Sequence, residues 1–125
     1  EGSDVTVVAT GRMIHTALGA ATELSREGIE IEVLDPRSLA PLDRETLMKS
    51  VKKTGRLLIV HEACVTGGFG AEIAAIAAKE AFGYLDAPIE RIGAPDIPVP
   101  CSPVLEDAYI PKREDIVGTV RRMVA

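Results

Sequence analysis

The chain has 125 residues, 46% of them hydrophobic, a net charge of −5, two Phe, two Tyr and no Trp. That length suits one domain with a core of Val, Ile, Leu and Ala, and an acidic balance without basic clusters or interleaved aromatics excludes the usual nucleic-acid signals. Two cysteines, Cys64 and Cys101, cannot build a disulfide framework, and no apolar run reaches the roughly 20 residues of a membrane span, so a reducing, soluble compartment is expected.

Glu1-Gly2-Ser3 shows no signal or transit pattern and leads at once into a strand-like run, so the sequence reads as a piece of something longer. The first strand is expected over Asp4–Thr10, where Val5, Val7, Val8 and Ala9 are nearly continuously apolar, as in a strand buried on both faces. Ile14, Ala17, Leu18, Ala21 and Leu24 recur at helical spacing, and Gly28 sits where a left-handed C-cap would fall. In Ile29–Asp35 the apolar residues alternate with Glu30 and Glu32, as edge strands do to discourage unwanted pairing. Asp43 can cap a second helix running through Lys53, with Leu47, Met48 and Val51 inward. The third strand, Arg56–Glu62, carries the continuous run Leu57-Leu58-Ile59-Val60 and belongs at the centre of a sheet.

A third helix over Gly70–Phe82 precedes a fourth strand, Ile89–Gly93, whose Glu90 and Arg91 again suit an edge. Five prolines between Ala94 and Pro111 predict an extended, stiff arm. The last helix, Lys112–Met123, has Glu114 and Asp115 in its first turn and Arg121 and Arg122 in its last, complementing its dipole. Strands alternating with helices predict an α/β fold of three layers, a mainly parallel sheet with helices on both faces. With two central strands, two edge strands and right-handed crossovers, the simplest strand order is 2-1-3-4, in a single domain over residues 1–125.

The densest punctuation is His61-Glu62-Ala63-Cys64-Val65-Thr66-Gly67-Gly68-Phe69-Gly70-Ala71-Glu72. A Gly-rich turn that opens a helix can present backbone N–H groups to an anion. This one lacks the third glycine of the dinucleotide fingerprint and the Lys-Ser/Thr of a P-loop, and Glu72 would repel phosphate, so the simpler reading is glycines that let the helix approach the sheet. His61, Glu62 and Cys64 lack metal-ligand spacing, and no Ser stands in a nucleophile elbow. In the predicted sheet the topological switch lies between the first and third strands. Its crevice is bounded by Thr10-Gly11-Arg12 and His61-Glu62, so Arg12, His61 and Glu62 are the local site candidates, against a plain hydrogen-bond network closing the sheet edge.

The third helix is apolar almost all round, with only Glu72, Lys79 and Glu80 as a polar stripe, which predicts burial on more than one side. A subunit contact through Phe69, Ile73, Ile76 and Ala77 follows, although alanine also tolerates exposure as a good helix former.

Several segments together resemble the C-terminal domain of transketolase-type enzymes, and within that group the β subunit of the 2-oxo acid dehydrogenase decarboxylating component. They are Asp4-Val5-Thr6-Val7-Val8, Glu32-Val33-Leu34-Asp35-Pro36-Arg37-Ser38-Leu39 with Pro41-Leu42-Asp43, and Lys53-Thr54-Gly55-Arg56-Leu57. More diagnostic are His61-Glu62-Ala63 with Gly67-Gly68-Phe69-Gly70-Ala71-Glu72-Ile73, and Ala87-Pro88-Ile89-Glu90-Arg91-Ile92 with Pro98-Val99-Pro100 and Leu105-Glu106.

The resemblance implies decarboxylation of a 2-oxo acid (pyruvate, a branched-chain acid), or cleavage of acetoin, with transfer to a lipoyl group. Thiamine diphosphate and magnesium would lie between the α subunit and the N-terminal domain of the β subunit, outside this chain. No catalytic residue, cofactor ligand or metal ligand is then expected here. The implied partners are the α subunit, a second β subunit and the basic subunit-binding domain of the lipoyl acyltransferase core. Glu106, Asp107 and the C-terminal Ala125 are the candidates for that docking. The implied location is the cytoplasm of a bacterium or archaeon, or the mitochondrial matrix of a eukaryote. Two other readings remain: a free-standing ligand-binding module using Gly67–Gly70, and the C-terminal domain of transketolase or deoxyxylulose-phosphate synthase.

Overall fold

The computed structural model describes all of residues 1–125. Four parallel strands, β1 (Val5–Ala9), β2 (Ile31–Leu34), β3 (Leu57–Cys64) and β4 (Glu90–Ala94), form one sheet in the order β2-β1-β3-β4. The expected order and edge assignments therefore stand. Helices α1 (Met13–Ser25) and α5 (Arg113–Val124) cover one face, and α2 (Arg44–Thr54) and α3 (Phe69–Glu80) the other.

The alternation of side chains along a strand divides β1 and β3 between two cores. Val5, Val7, Ala9, Leu58 and Val60 meet Ala17, Leu24, Ile116 and Val120 on one side. Val8, Leu57 and Ile59 meet Leu47, Val51, Ile73 and Ala77 on the other. The strands read as continuously apolar because both faces are covered.

Local chemistry sets the helix ends. Asp43 caps α2 by accepting from the Thr46 N–H at 3.0 Å, and Gly55, at φ +68°, ends it in the left-handed region that favours glycine. At α5 the Asp115 carboxylate accepts from the Lys112 N–H at 2.7 Å, while Arg121 and Arg122 occupy the last turn.

Two expectations need correction. The segment from Ala94 to Pro111 is not extended throughout, because Pro103–Tyr109 forms α4. Pro103 stands in the first turn, where its missing N–H removes no helical hydrogen bond, so proline starts this helix instead of preventing it. The third helix is covered on one side only. Ile73, Ile76 and Ala77 face the sheet while Ala75 and Ala78 are exposed. Those three residues belong to the core of this chain.

The α2 face also holds a buried polar network that apolar periodicity does not reveal. Thr6, fully buried in β1, contacts the hydroxyls of Ser50 (2.7 Å) and Thr54 (2.8 Å) on α2. Ser50 donates to Glu32 at 2.8 Å, so Thr6 must donate to Ser50, and Thr54 is left to donate to Thr6 or to the Arg56 carbonyl. The three hydroxyls thus form one chain that ends on the Glu32 carboxylate and the Arg56 carbonyl. Burial opposes ionisation of Glu32, yet hydrogen bonds from Lys53 and Ser50 outweigh it and hold the carboxyl below its ordinary value. A depressed carboxylate contributes stability above its unfolded pKa and loses it as pH falls through the folded value.

Thr6→Val is expected to destabilise the fold by about 0.5–1.5 kcal/mol, read by urea unfolding, because it removes the buried hydroxyl contacts to Ser50 and Thr54 while conserving shape. Glu32→Gln should flatten the loss of stability as pH drops below about 4.5, the ordinary glutamate range, while leaving the rest of the pH profile in place.

Candidate functional site

The carboxyl ends of β1 and β3 meet at the topological switch of the sheet, where open α/β sheets place ligands. The structure forms a pocket of about 180 Å³ there, lined by Thr10 and Gly11 after β1, by His61, Glu62 and Ala63 of β3, and by Leu39, Ile59, Phe69, Gly70 and Ile73. Two of the three candidate residues, His61 and Glu62, therefore share a site. Arg12 does not join them. It is exposed at the N-cap of α1 and lines a separate open cleft of about 410 Å³ with His15, Asp107, Lys112 and Arg113.

A bulge aims these side chains. β3 pairs with β4 through Val60–Ile92 and again through Cys64–Ala94, so β3 has two more residues than its partner between these pairs. The excess is the His61-Glu62-Ala63 segment, and bulges of this kind redirect side chains near sites. His61 turns under the first turn of α3, and its Nδ1 donates to the Ala63 carbonyl at 2.9 Å.

His61 is 5% exposed, and its Nε2 is the one buried side-chain nitrogen or oxygen in the chain without a hydrogen-bond partner. The reason is close packing. A Cβ added to Gly70 would stand 2.5 Å from Nε2, one on Gly68 2.8 Å from Cε1, and one on Gly93 2.9 Å from Cε1. Three glycines thus form a collar round the imidazole, and only glycine allows backbone so near the ring. The same geometry explains the Gly67–Gly70 turn, since Gly68 also lies 2.3 Å, by its virtual Cβ, from the Cys64 carbonyl. Gly68 and Gly70 of the turn are occupied by close packing on their own chain, and Glu72 adds negative charge to the first turn of α3, which disfavours a diphosphate. No group of three His, Cys, Asp or Glu side chains is arranged to hold a metal ion. The residues present do not fit thiamine diphosphate or magnesium.

Glu62 and Glu90 differ from the other half-buried acids. Asp4, Glu23 and Glu32 each have a partner, whereas the side chains of Glu62 and Glu90 have neither a hydrogen bond nor an ion pair. Leu39, which roofs the pocket, was not singled out from sequence. It is carried by the loop after β2, where Asp35 accepts from the Arg37 N–H at 3.0 Å and pairs with its guanidinium at 3.0 Å, holding Arg37 at φ +57°. Of the four expected contact residues on α3, half-buried Phe69 and buried Ile73 line this pocket, whereas Ile76 and Ala77 do not. Glu106 and Asp107 are exposed on α4, with Asp107 paired to Lys112 at 2.7 Å, and Ala125 is exposed at the chain end. A hydrogen bond from Lys112 lowers the Asp107 carboxyl below its ordinary value.

A family model described as the transketolase C-terminal domain matches residues 1–116. The β subunit of acetoin:2,6-dichlorophenolindophenol oxidoreductase from Bacillus subtilis (strain 168) is 51% identical over 124 residues, covering 99% of this chain and 36% of that protein. The mitochondrial pyruvate dehydrogenase E1 component subunit beta of Pisum sativum is 48% identical over 122 residues, covering 98% of this chain and 34% of that protein. A solved split-gene transketolase, described as an inactive beta4 tetramer, superposes with a TM-score of 0.83 at 35% identity, over 99% of this chain and 39% of its own. The chain thus spans about a third of the length of the curated relatives it matches.

Gly70→Ala should destabilise the domain by about 1–3 kcal/mol, because the ring cannot retreat from a new methyl while Gly68 and Gly93 hold its other edge. In a His61→Ala background the same change should become neutral or stabilising by up to about 1 kcal/mol, through alanine's better helix propensity. Denaturant unfolding of the four-variant cycle checks this change of sign.

Proposed function

The chain belongs to the transketolase C-terminal domain family, and from this premise we propose that it is the C-terminal domain, residues 1–125, of the β subunit of a thiamine-diphosphate-dependent 2-oxo acid dehydrogenase. The observation that carries the proposal is the 51% and 48% identity, over nearly the whole chain, to β subunits of an acetoin oxidoreductase and a pyruvate dehydrogenase. The parent reaction would be oxidative decarboxylation of a 2-oxo acid, or the corresponding cleavage of acetoin, with acyl transfer to a lipoyl group. Thiamine diphosphate, with magnesium, would supply the carbanion chemistry from a site between the α subunit and the N-terminal domain of the β subunit.

The role of this chain is then assembly and docking. Its partners would be the α subunit, a second β subunit and the basic subunit-binding domain of the acyltransferase core. Three features support this role: the site crevice is narrowed by the chain's own imidazole, the face of α3 outside the core is a strip of small residues including Ala75 and Ala78, and α4 presents carboxylates to solvent. Glu106, Asp107 and the Ala125 carboxylate would steer a basic docking domain. Asp107 already answers Lys112, so Glu106 should weigh more. No helix is long and apolar enough to cross a membrane, and the compartment would be a bacterial or archaeal cytoplasm or a mitochondrial matrix.

The test is co-expression of a β subunit carrying this segment with candidate α subunits, followed by decarboxylation assays on pyruvate and branched-chain 2-oxo acids and an acetaldehyde-release assay on acetoin. We expect a stable heterotetramer active on at least one substrate, and no activity from the 125-residue chain alone. Failure to retain any α subunit, or saturable nucleotide binding at the Gly67–Gly70 turn by calorimetry, would overturn the proposal.

A further inference from the structure

The crevice pocket carries chemistry that the assembly role does not use. Its one charged lining residue is Glu62, half-buried and without a partner, and neither Lys nor Arg is among the lining residues. The other unpaired half-buried acid, Glu90, lines a cleft that also contains Arg91, Lys112 and Arg122. A carboxylate partly removed from water without a cation nearby is a site of unmet charge. The walls around it are apolar, formed by Leu39, Ile59, Phe69 and Ile73.

The size narrows the occupant. About 180 Å³ is well below the roughly 300–1,000 Å³ of ordinary small-molecule sites, and suits one long side chain. The mouth has an apolar collar as well. Leu39 is 43% exposed and Phe69 is half-buried, so both would be covered by a polypeptide lying across the opening.

We propose that this pocket receives an arginine side chain from a partner polypeptide of the assembly. The guanidinium would pair with the Glu62 carboxylate through its planar fork and lie against the Phe69 ring, while the aliphatic stem packs on Leu39. Arginine matches better than lysine because its weakly hydrated, planar head can satisfy a carboxylate and an aromatic face together. Buried arginines in such pockets are typical anchors of interfaces. The proposal rests on the reading of this chain as a subunit. It assigns a specific anchor point to the carboxyl edge of the sheet, away from the α4 carboxylates.

The test uses the 125-residue chain and capped amino acids (N-acetyl, N-methylamide) as probes, followed by backbone amide NMR. Capped arginine should give saturable shifts at Gly11, Glu62, Phe69 and Gly70. Capped lysine should bind more weakly, and capped norleucine, with the stem but no charge, weakest of all. Glu62→Gln should weaken capped arginine by about tenfold while leaving the fold unchanged by circular dichroism. Leu39→Lys should block the site by supplying a cation from the rim. Absence of saturation with capped arginine, equal binding of capped norleucine, or full binding to the Glu62→Gln variant would each overturn the proposal.

A second measurement separates this idea from the reading beneath it. If the heterotetramer fails to form with wild-type chain, the subunit reading fails, whatever the probes do. If it forms and Glu62→Gln leaves its dissociation constant and salt dependence unchanged, the arginine anchor fails and the subunit reading stands.

Discussion

The close approach of α3 to the end of β3 is the constraint on which the rest of this domain depends. A helix can lie this near a strand end only if the residues between them lack side chains, and Gly68, Gly70 and Gly93 meet that condition round the ring of His61. The collar brings Ile73, Ile76 and Ala77 down onto Leu57 and Ile59, which closes the smaller of the two cores. It also leaves Nε2 of His61 without a partner. An orphaned buried acceptor costs about 1–3 kcal/mol. The bulged strand, the turn of the chain and the helix start are all fixed by one ring, so the arrangement gives up a hydrogen bond for a defined geometry.

The opposite end of the same core is held differently. There Thr6, Ser50 and Thr54 tie α2 to the central strand through hydroxyl contacts, and Ser50 passes the network to Glu32 at the sheet edge, where Lys53 also pairs with the carboxylate. The face covered by α1 and α5 relies mainly on apolar packing, from Val5 through Val120, with the Arg56 guanidinium donating to the Met123 carbonyl at the end of α5. One face of the sheet is thus held mainly by volume, the other by volume plus a directional network. Directional contacts fix the rotation of a helix about its axis, and α2 needs that because the loop it follows must set Leu39 over the crevice.

Much of this was legible in the sequence where the signal is periodic. Continuous apolar runs in β1 and β3 and charges in β2 and β4 were enough for the strand order, because burial on two faces and exposure at an edge impose different patterns. The crevice was legible too, since strand order alone places Thr10, Gly11, His61 and Glu62 together. The failures have physical causes. Proline content alone hid α4, because a proline that would break a helix interior can begin one. Alanine hid the true face of α3, since a residue that is apolar and small gives no direction. Arg12 was adjacent to the crevice in sequence but begins a helix, which turns its side chain toward α5 and away from His61. The Thr6 network was invisible because three hydroxyls on two elements have no periodicity.

The contents of the crevice bear on what kind of protein this chain can be. Open α/β sheets bind ligands at this switch because the two helix starts diverge there and leave space. In this domain His61 enters that space from within, and the glycines bring α3 in behind it. What remains, about 180 Å³, is below the size of ordinary small-molecule sites but large enough for a single side chain, and Glu62 lines it. That size follows from where one imidazole packs, since the three glycines round the ring admit the helix and the ring takes the rest of the space.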